Sequence, residues 1–369
     1  MGVLQVVFTV IAYNGPIVVF LGFIPVCILL GHGLGTPVAY LISGAVVALL
    51  AWGLTTMARR LPQPGGFYAF ITKGLGKTPG LAAGFAATMC YFVALLSAYP
   101  LAGAGLATIV HGVFNGPDIP WWVWSIPVWI AASILGYLRI DLSARVLTTF
   151  LSLELLMMMV YDISVIARGG AQGLSFESFS WSSLTSGSLA LALMLGIGLY
   201  GGFEAPIIFR DEVKEPNKTI PRASFLTVGI LASLYCLTAW VFINSFGVQA
   251  IMAAVEQDPL NAAYDSVRAN VGSWGFVAVS VLLFTSATAL VFAAHNITTR
   301  YAFNLSNDGV LHRSLNVVHE KHGSPHKASN AVAVASFVGL VPLVVAGLSG
   351  GVAYGRLAGL YAYTFLLSC

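Results

Sequence analysis

Ten stretches of this chain run nearly the thickness of a bilayer with almost no charge. They lie at about residues 3–30, 37–58, 79–112, 121–138, 142–167, 187–209, 222–247, 272–304 and 328–347, and from 352 onward. A membrane-spanning helix needs about 20 mostly apolar residues. The runs are continuous and rich in Leu, Ala and Val, whereas barrel strands alternate in polarity over about ten residues. Charged residues make up 8% of the chain, and a water-soluble domain carries about 25%. The pattern therefore predicts an all-α polytopic membrane protein whose surroundings are the lipid bilayer. Residues 1–20 lack Lys and Arg, so the first run is read as a retained span rather than a cleaved signal. The tenth run is still apolar at Cys369, which reads as a chain truncated within its tenth span.

Lys and Arg are shared unequally between the two sets of loops. Fourteen, among them Arg59, Lys77, Arg145, Lys218 and Arg313, fall on one side, and only Arg168, Arg268 and Arg356 on the other. Basic loops face the cytoplasm, so the N-terminus is expected there, in a protein of the cell membrane. Trp121, Trp122 and Trp124 then open the fourth span at the outer interface, as anchors. The outer loop after the seventh span (MAAVEQDPLNAAYDSVRANVG) is amphipathic, either a helical cap over a vestibule or a plain surface loop.

Two spans are interrupted by helix breakers. The first holds Ala12-Tyr13-Asn14-Gly15-Pro16, and the sixth holds Tyr200-Gly201-Gly202-Phe203-Glu204-Ala205-Pro206. Proline lacks an N–H and clashes with the preceding turn, and glycine loosens it. Broken helices are tolerated in a bilayer only where the freed backbone is buried or lines a cavity. Spans one and six sit at matching places if residues 1–167 form one five-helix repeat and 168–369 a second, incomplete one. Paired interruptions of this kind point to a solute site between inverted repeats. Free half-helix N–H groups suit an anion and free carbonyls suit a cation, so a zwitterion would use both.

Three motifs carry a family resemblance. GGFEAPIIFRDEVKEPNKTIPRA (201–223) resembles the sixth-span signature of the amino acid–polyamine–organocation transporters. ARRLPQPGGFYAFITKGLG (58–76) resembles their first cytoplasmic loop, and NITTRYAFNLSNDGVLHRSLNVVHEKHGSPHKA (296–328) their exit from the eighth span. The resemblance covers essentially the whole chain. It implies the leucine-transporter fold, alternating access, and uptake or exchange of amino acids or related amines. By the same resemblance, Tyr13, Asn14 and Gly15 would hold a substrate carboxylate. Carbonyls of Tyr200, Gly201 and Gly202 would hold an amino group, with Phe203 or Tyr200 as an aromatic gate. Glu204 matches a glutamate linked in some members to gating and proton coupling. The turn Tyr-Asn-Gly-Pro departs from the Gly-Ser-Gly-like turn of many members. Some proton-coupled cousins carry a fifth-span lysine, and Glu154 falls near that position as a possible proton or sodium site.

Other polar residues are weighed against plainer roles. Glu154 and Glu204 lie inside spans, where a charge costs about 2.5 kcal/mol or more, so each is either functional or a neutral structural acid. Asp162 lies near the outer end of the fifth span and is read as solvated. His295, deep in the eighth span, is a candidate for ion coupling, although an interhelical hydrogen bond is the commoner use of such a histidine. Thr285, Ser286 and Thr288 offer hydroxyls to a sodium ion or to their own helix. His312, His319, His322 and His326 match no zinc spacing and are read as a solvated loop. The four cysteines, Cys27, Cys90, Cys236 and Cys369, sit in apolar stretches as small hydrophobes. Gly196–Gly201 matches a dinucleotide fingerprint literally, but no strand precedes it.

The sequence thus points to a secondary transporter of a small amino acid or amine, ion-coupled, with H+ favoured over Na+. No enzyme activity, organic cofactor, metal or nucleic-acid partner is expected, and the oligomeric state is not specified. The alternative is a transport-inactive membrane sensor or subunit that keeps the fold.

Overall fold

A computed structural model of the chain describes residues 2–60, 67–138, 144–204, 207, 213–320 and 323–368; for 9, 12, 13, 60, 67–69, 144–147 and 368 only the backbone is described. No strand occurs among the described residues. Helix α1 (Val3–Asn14) ends at Gly15, whose φ of 55° lies in the left-handed region. A left-handed residue ends a helix, and glycine adopts it without a Cβ clash. Pro16 then occupies the first turn of α2 (residues 16–32), a position that needs no N–H. In α2, α turns alternate with wider π turns at Val19–Phe23 and Ile28–His32. The chain continues into α3 (Thr36–Arg60), α4 (Phe67–Leu75), α5 (Lys77–Ala107), α6 (Trp121–Leu138) and α7 (Ala144–Arg168).

Ser188 caps the short α8 (Leu189–Gly198) by accepting the Leu191 N–H. The chain leaves helix at Leu199 and turns irregularly through Glu204. Ile207 is helical, and α9 runs over Pro216–Phe246, again with proline in the first turn. The amphipathic outer loop is helical: α10 (Ile251–Gln257) and α11 (Pro259–Asn270), the latter capped by Asp258, which accepts the N–H groups of Leu260 and Asn261. Helices α12 (Ser273–Asn307), α13 (His326–Val345) and α14 (Gly350–Ser368) complete the described chain.

Seven helical stretches among the described residues are long and apolar enough to cross a membrane, the first of them (Pro16–Arg59) containing both α2 and α3. Their outward faces carry Trp52, Leu153, Leu156, Val334 and Val338, a surface suited to lipid. Helices α12 and α14 pack along α5, α9 packs along α3, and α1 lies between α9 and α7. Helices α6 and α13 pair at the periphery. The centre therefore belongs to the two interrupted segments, α1–α2 and the turn after α8, enclosed by α5, α12 and α14.

Burial corrects one expectation from the sequence. Asp162 is 3% exposed, because α9 covers that face of α7 and the Thr238 hydroxyl donates to its Oδ2 at 2.9 Å. The histidine loop is also only partly solvated: His319 and His326 pack edge-on against each other and against Tyr137. Cys27, Cys90 and Cys236 are buried and free.

Candidate functional site

The first break is held from the fifth span. Pro16 brings no N–H, so the first donor of α2 is Ile17, and it donates to Glu154 Oε2 at 3.2 Å. A carboxylate at a helix N-terminus is favoured by the helix dipole and by the unpaired N–H groups there. The next two donors, Val18 and Val19, turn back to the Gly15 carbonyl at 2.8 and 3.1 Å. Ser286 of α12 is within hydrogen-bonding reach of Glu154. It also packs so closely on Gly15 that a Cβ there would sit 2.8 Å from its Oγ. Glu154, Gly15, Ile17 and Ser286 thus form one buried cluster joining three helices.

The second break carries its own carboxylate. Gly202 has φ of 92°, and its N–H donates to Glu204 Oε2 at 3.1 Å. The Tyr91 hydroxyl of α5 donates to Glu204 Oε1 at 3.2 Å, and the Tyr91 ring stacks on Tyr301 of α12. Both Glu204 oxygens are therefore engaged at a 7% exposed position. Here too a carboxylate answers backbone donors that no helix satisfies.

The two breaks face one cavity of about 100 Å3. From the first break come Asn14, Val18, Val19 and Phe23; from the second, Gly198, Leu199, Gly201 and Gly202. Tyr91 and Ser97 of α5 and Tyr354, Tyr361 and Phe365 of α14 supply further wall. Among the described residues, no Lys, Arg, His, Asp or Glu lines it.

Of the residues singled out in the sequence, Asn14, Gly201 and Gly202 line the cavity, and Gly15 and Glu204 sit directly behind its wall. The side chain of Tyr13, like Ala205 and Pro206, lies outside the described residues. Tyr200 is fully buried and donates its hydroxyl to the Tyr40 carbonyl at 2.7 Å, locking the turn onto α3. Phe203 is likewise buried and meets Phe365 edge-on. His295 points away from the cavity that its neighbour Ala294 lines; its Nε2 meets Ser329 Oγ of α13 at 2.9 Å. Thr285 bonds back to its own helix, at Val281 and Leu282. No group of three or more potential metal ligands gathers among the described residues. Sequence reasoning passed over Tyr91, Tyr354 and Tyr361. Each is an aromatic in an apolar span with no motif around it, and only the register of its helix against the breaks brings it to the site.

Interrupted helices meeting at a buried cavity inside a bundle of spans define an integral, multi-pass membrane protein of transporter architecture. The fold is that of the leucine transporter. It matches the crystal structure of MhsT in complex with L-phenylalanine at a TM-score of 0.61 and 15% identity, over 97% of this chain and 88% of that one. It matches a mutant manganese transporter of Eremococcus coleocola at 0.54 and 16%, over 98% and 77%. At such identity these likenesses speak for the fold alone. The chain belongs to the amino acid permease family, whose sequence model matches residues 2–369. It is 24% identical to cationic amino acid transporter 5 of Arabidopsis thaliana over 81% of this chain, and spans about half (52%) of that protein's length. It is 23% identical to the aromatic amino acid transport protein AroP of Escherichia coli O157:H7, over 91% of this chain and 72% of that one. It is 24% identical to the low-affinity putrescine importer PlaP of Escherichia coli K12, over 80% and 64%. These relatives are transporters and permeases, not enzymes.

Proposed function

We propose that this protein is a secondary transporter of an amino acid or related amine, working by alternating access around its two helix breaks. The observation that carries this reading is the convergence of both breaks on one cavity, each capped by a buried carboxylate. Discontinuous helices supply a polar site at mid-membrane without a lipid-facing broken backbone. The five-helix units 1–167 and 168–369 rock against each other about that site. The cargo meets Asn14 and the backbone of residues 13–15 and 200–203. Glu204 and Glu154 are the coupling groups, and H+ is favoured over Na+. A proton on Glu204 removes an intramembrane charge and frees Tyr91 and Gly202 to rearrange, which biases the two states differently. His295 acts as a tether between α12 and α13. The protein sits in the cell membrane with its N-terminus in the cytoplasm.

The test is uptake of a labelled panel of amino acids and amines into proteoliposomes, with a proton gradient and a sodium gradient imposed separately. Saturable uptake driven by the proton gradient is expected. No uptake of any solute by folded protein under either gradient would sink the reading.

A further inference from the structure

We propose that a groove between α6 and α13, on the lipid-facing side of the bundle, is a binding site for one acyl chain of a membrane phospholipid. It lies apart from the central cavity and does not depend on what the protein carries.

The groove holds about 240 Å3, more than twice the central cavity. Trp121, Trp122, Ser125, Ile126 and Trp129 form its α6 wall. Phe337, Leu340, Val341, Val344 and Val345 form the α13 wall. Steps of three and four residues put each set on one helix face. Short valines stand here against tryptophans, which leaves the space open. Pro127 and Pro342 lie inside the two helices beside it, and each ring presses on the turn before it.

The surroundings name the occupant. Of the seven spanning stretches, α6 and α13 are the two least covered by the rest of the protein. Trp122, Ile126, Phe337, Val341 and Val345 stay exposed along the rims. In an integral membrane protein such a face meets hydrocarbon. The polar groups of the walls are turned inward: the Trp121 indole N–H donates to the Leu348 carbonyl at 2.8 Å and that of Trp129 to Ala333 at 2.9 Å. The Ser125 hydroxyl donates to the Tyr99 carbonyl at 2.8 Å. No charged side chain lines the groove among the described residues. It therefore takes a tail alone and offers nothing to a head group, and the bilayer supplies tails as phospholipid.

Depth fits as well. Trp121 starts α6 and Val345 ends α13, so one end of the groove opens where the spans end. From Trp121 to Trp129 a helix rises about 12 Å. One leaflet is half of a hydrocarbon core of about 30 Å, so the groove runs most of the length of one leaflet's tails. Lipid tails are as apolar as these side chains, and escape from water adds nothing. What holds the chain is dispersion contact with walls already fixed by the indole bonds and by Trp129 packing on Phe337, centroids 5.5 Å apart. A tail lying against a single helix touches protein on one side; in the groove it touches both flanks and the floor.

The test is photocrosslinking of the full chain in proteoliposomes containing a phospholipid with a diazirine midway along one acyl chain, with adducts mapped by peptide mass spectrometry. Labelling per residue over 121–129 and 337–345 should exceed that over 153–159, which includes the exposed Leu153, Leu156 and Met159 of α7, at least fivefold. Val341→Trp fills the groove from its rim and should cut the labelling of 121–129 at least fivefold while leaving α7 unchanged. Val345→Trp, at the more exposed mouth, blocks entry with less strain and should give the same loss. Even labelling of the three helices overturns the proposal, as does undiminished labelling of 121–129 in both folded variants. Ile126→Cys, with the native cysteines replaced by alanine, is oxidised in the same vesicles and should stay monomeric. A disulfide-linked dimer would give the groove to a second copy of the chain and overturn the lipid assignment.

Discussion

Gly15 meets two demands that no other residue satisfies together. Its φ of 55° costs an L-residue about 1–2 kcal/mol. A Cβ would also press on Ser286 Oγ, an overpacking of about 1 kcal/mol or more. Gly15→Ala should therefore lower the melting temperature by several degrees. The double change Gly15→Ala, Ser286→Ala should recover only the steric share. Full recovery in the double variant would show that the backbone angle carries no strain. Asp162 behaves differently. It is buried, with one hydroxyl donor on Oδ2 and no partner on Oδ1. A buried acid so thinly supported adds little to stability. Asp162→Asn keeps the shape and the Thr238 contact, so it should melt at the wild-type temperature or above. A large fall would mean that the negative charge itself is required.

At the scale of the element, the break in the first span does two jobs. It exposes α1's last carbonyls to the cavity and starts a new helix whose first donor is claimed by Glu154. Replacing Gly15 and Pro16 together by alanine restores the missing N–H and a helix-forming pair. The straightened span should be at least as stable, because alanine exceeds glycine and proline in helix propensity by about 1 and 3 kcal/mol. It should also lose most of its uptake, at least tenfold, since the site's backbone geometry is gone. Stability kept with uptake kept would show that the break is incidental. Sequence made this much visible. Gly-Pro and Gly-Gly inside apolar runs announce where the backbone must leave the helix, because few other residues permit it. It did not show that Asp162 would be covered or that Tyr91 would reach Glu204. Those depend on how α7 meets α9 and how α5 meets the second break, and apolar spans carry no periodic polar face to fix that register. Glu154 stood out as an intramembrane acid, but its partner Ile17 is 137 residues away.

Across the whole molecule, charge asymmetry makes a claim that neither the cavity nor the packing can make. Fourteen basic residues on one set of loops against three on the other predict a cytoplasmic N-terminus. Residue Ala171, exposed after α7, would then face outward, and Asn316, exposed between α12 and α13, would face the cytoplasm. Single cysteines at these positions, with the four native cysteines replaced by alanine, give a direct reading. A membrane-impermeant maleimide should label Ala171→Cys in intact cells and label Asn316→Cys only after permeabilisation. The reverse pattern would place the N-terminus outside. Under the proposed proton coupling, the orientation decides which end of the cavity a proton gradient acts on. It also decides on which side α11 lies, packed by Tyr161, Ser164 and Arg168 of α7 through hydrogen bonds to Ser266, Asn270 and Ala269. With Ala171 outside, that braced helix, which also packs on α2, would lie on the outer side of the bundle.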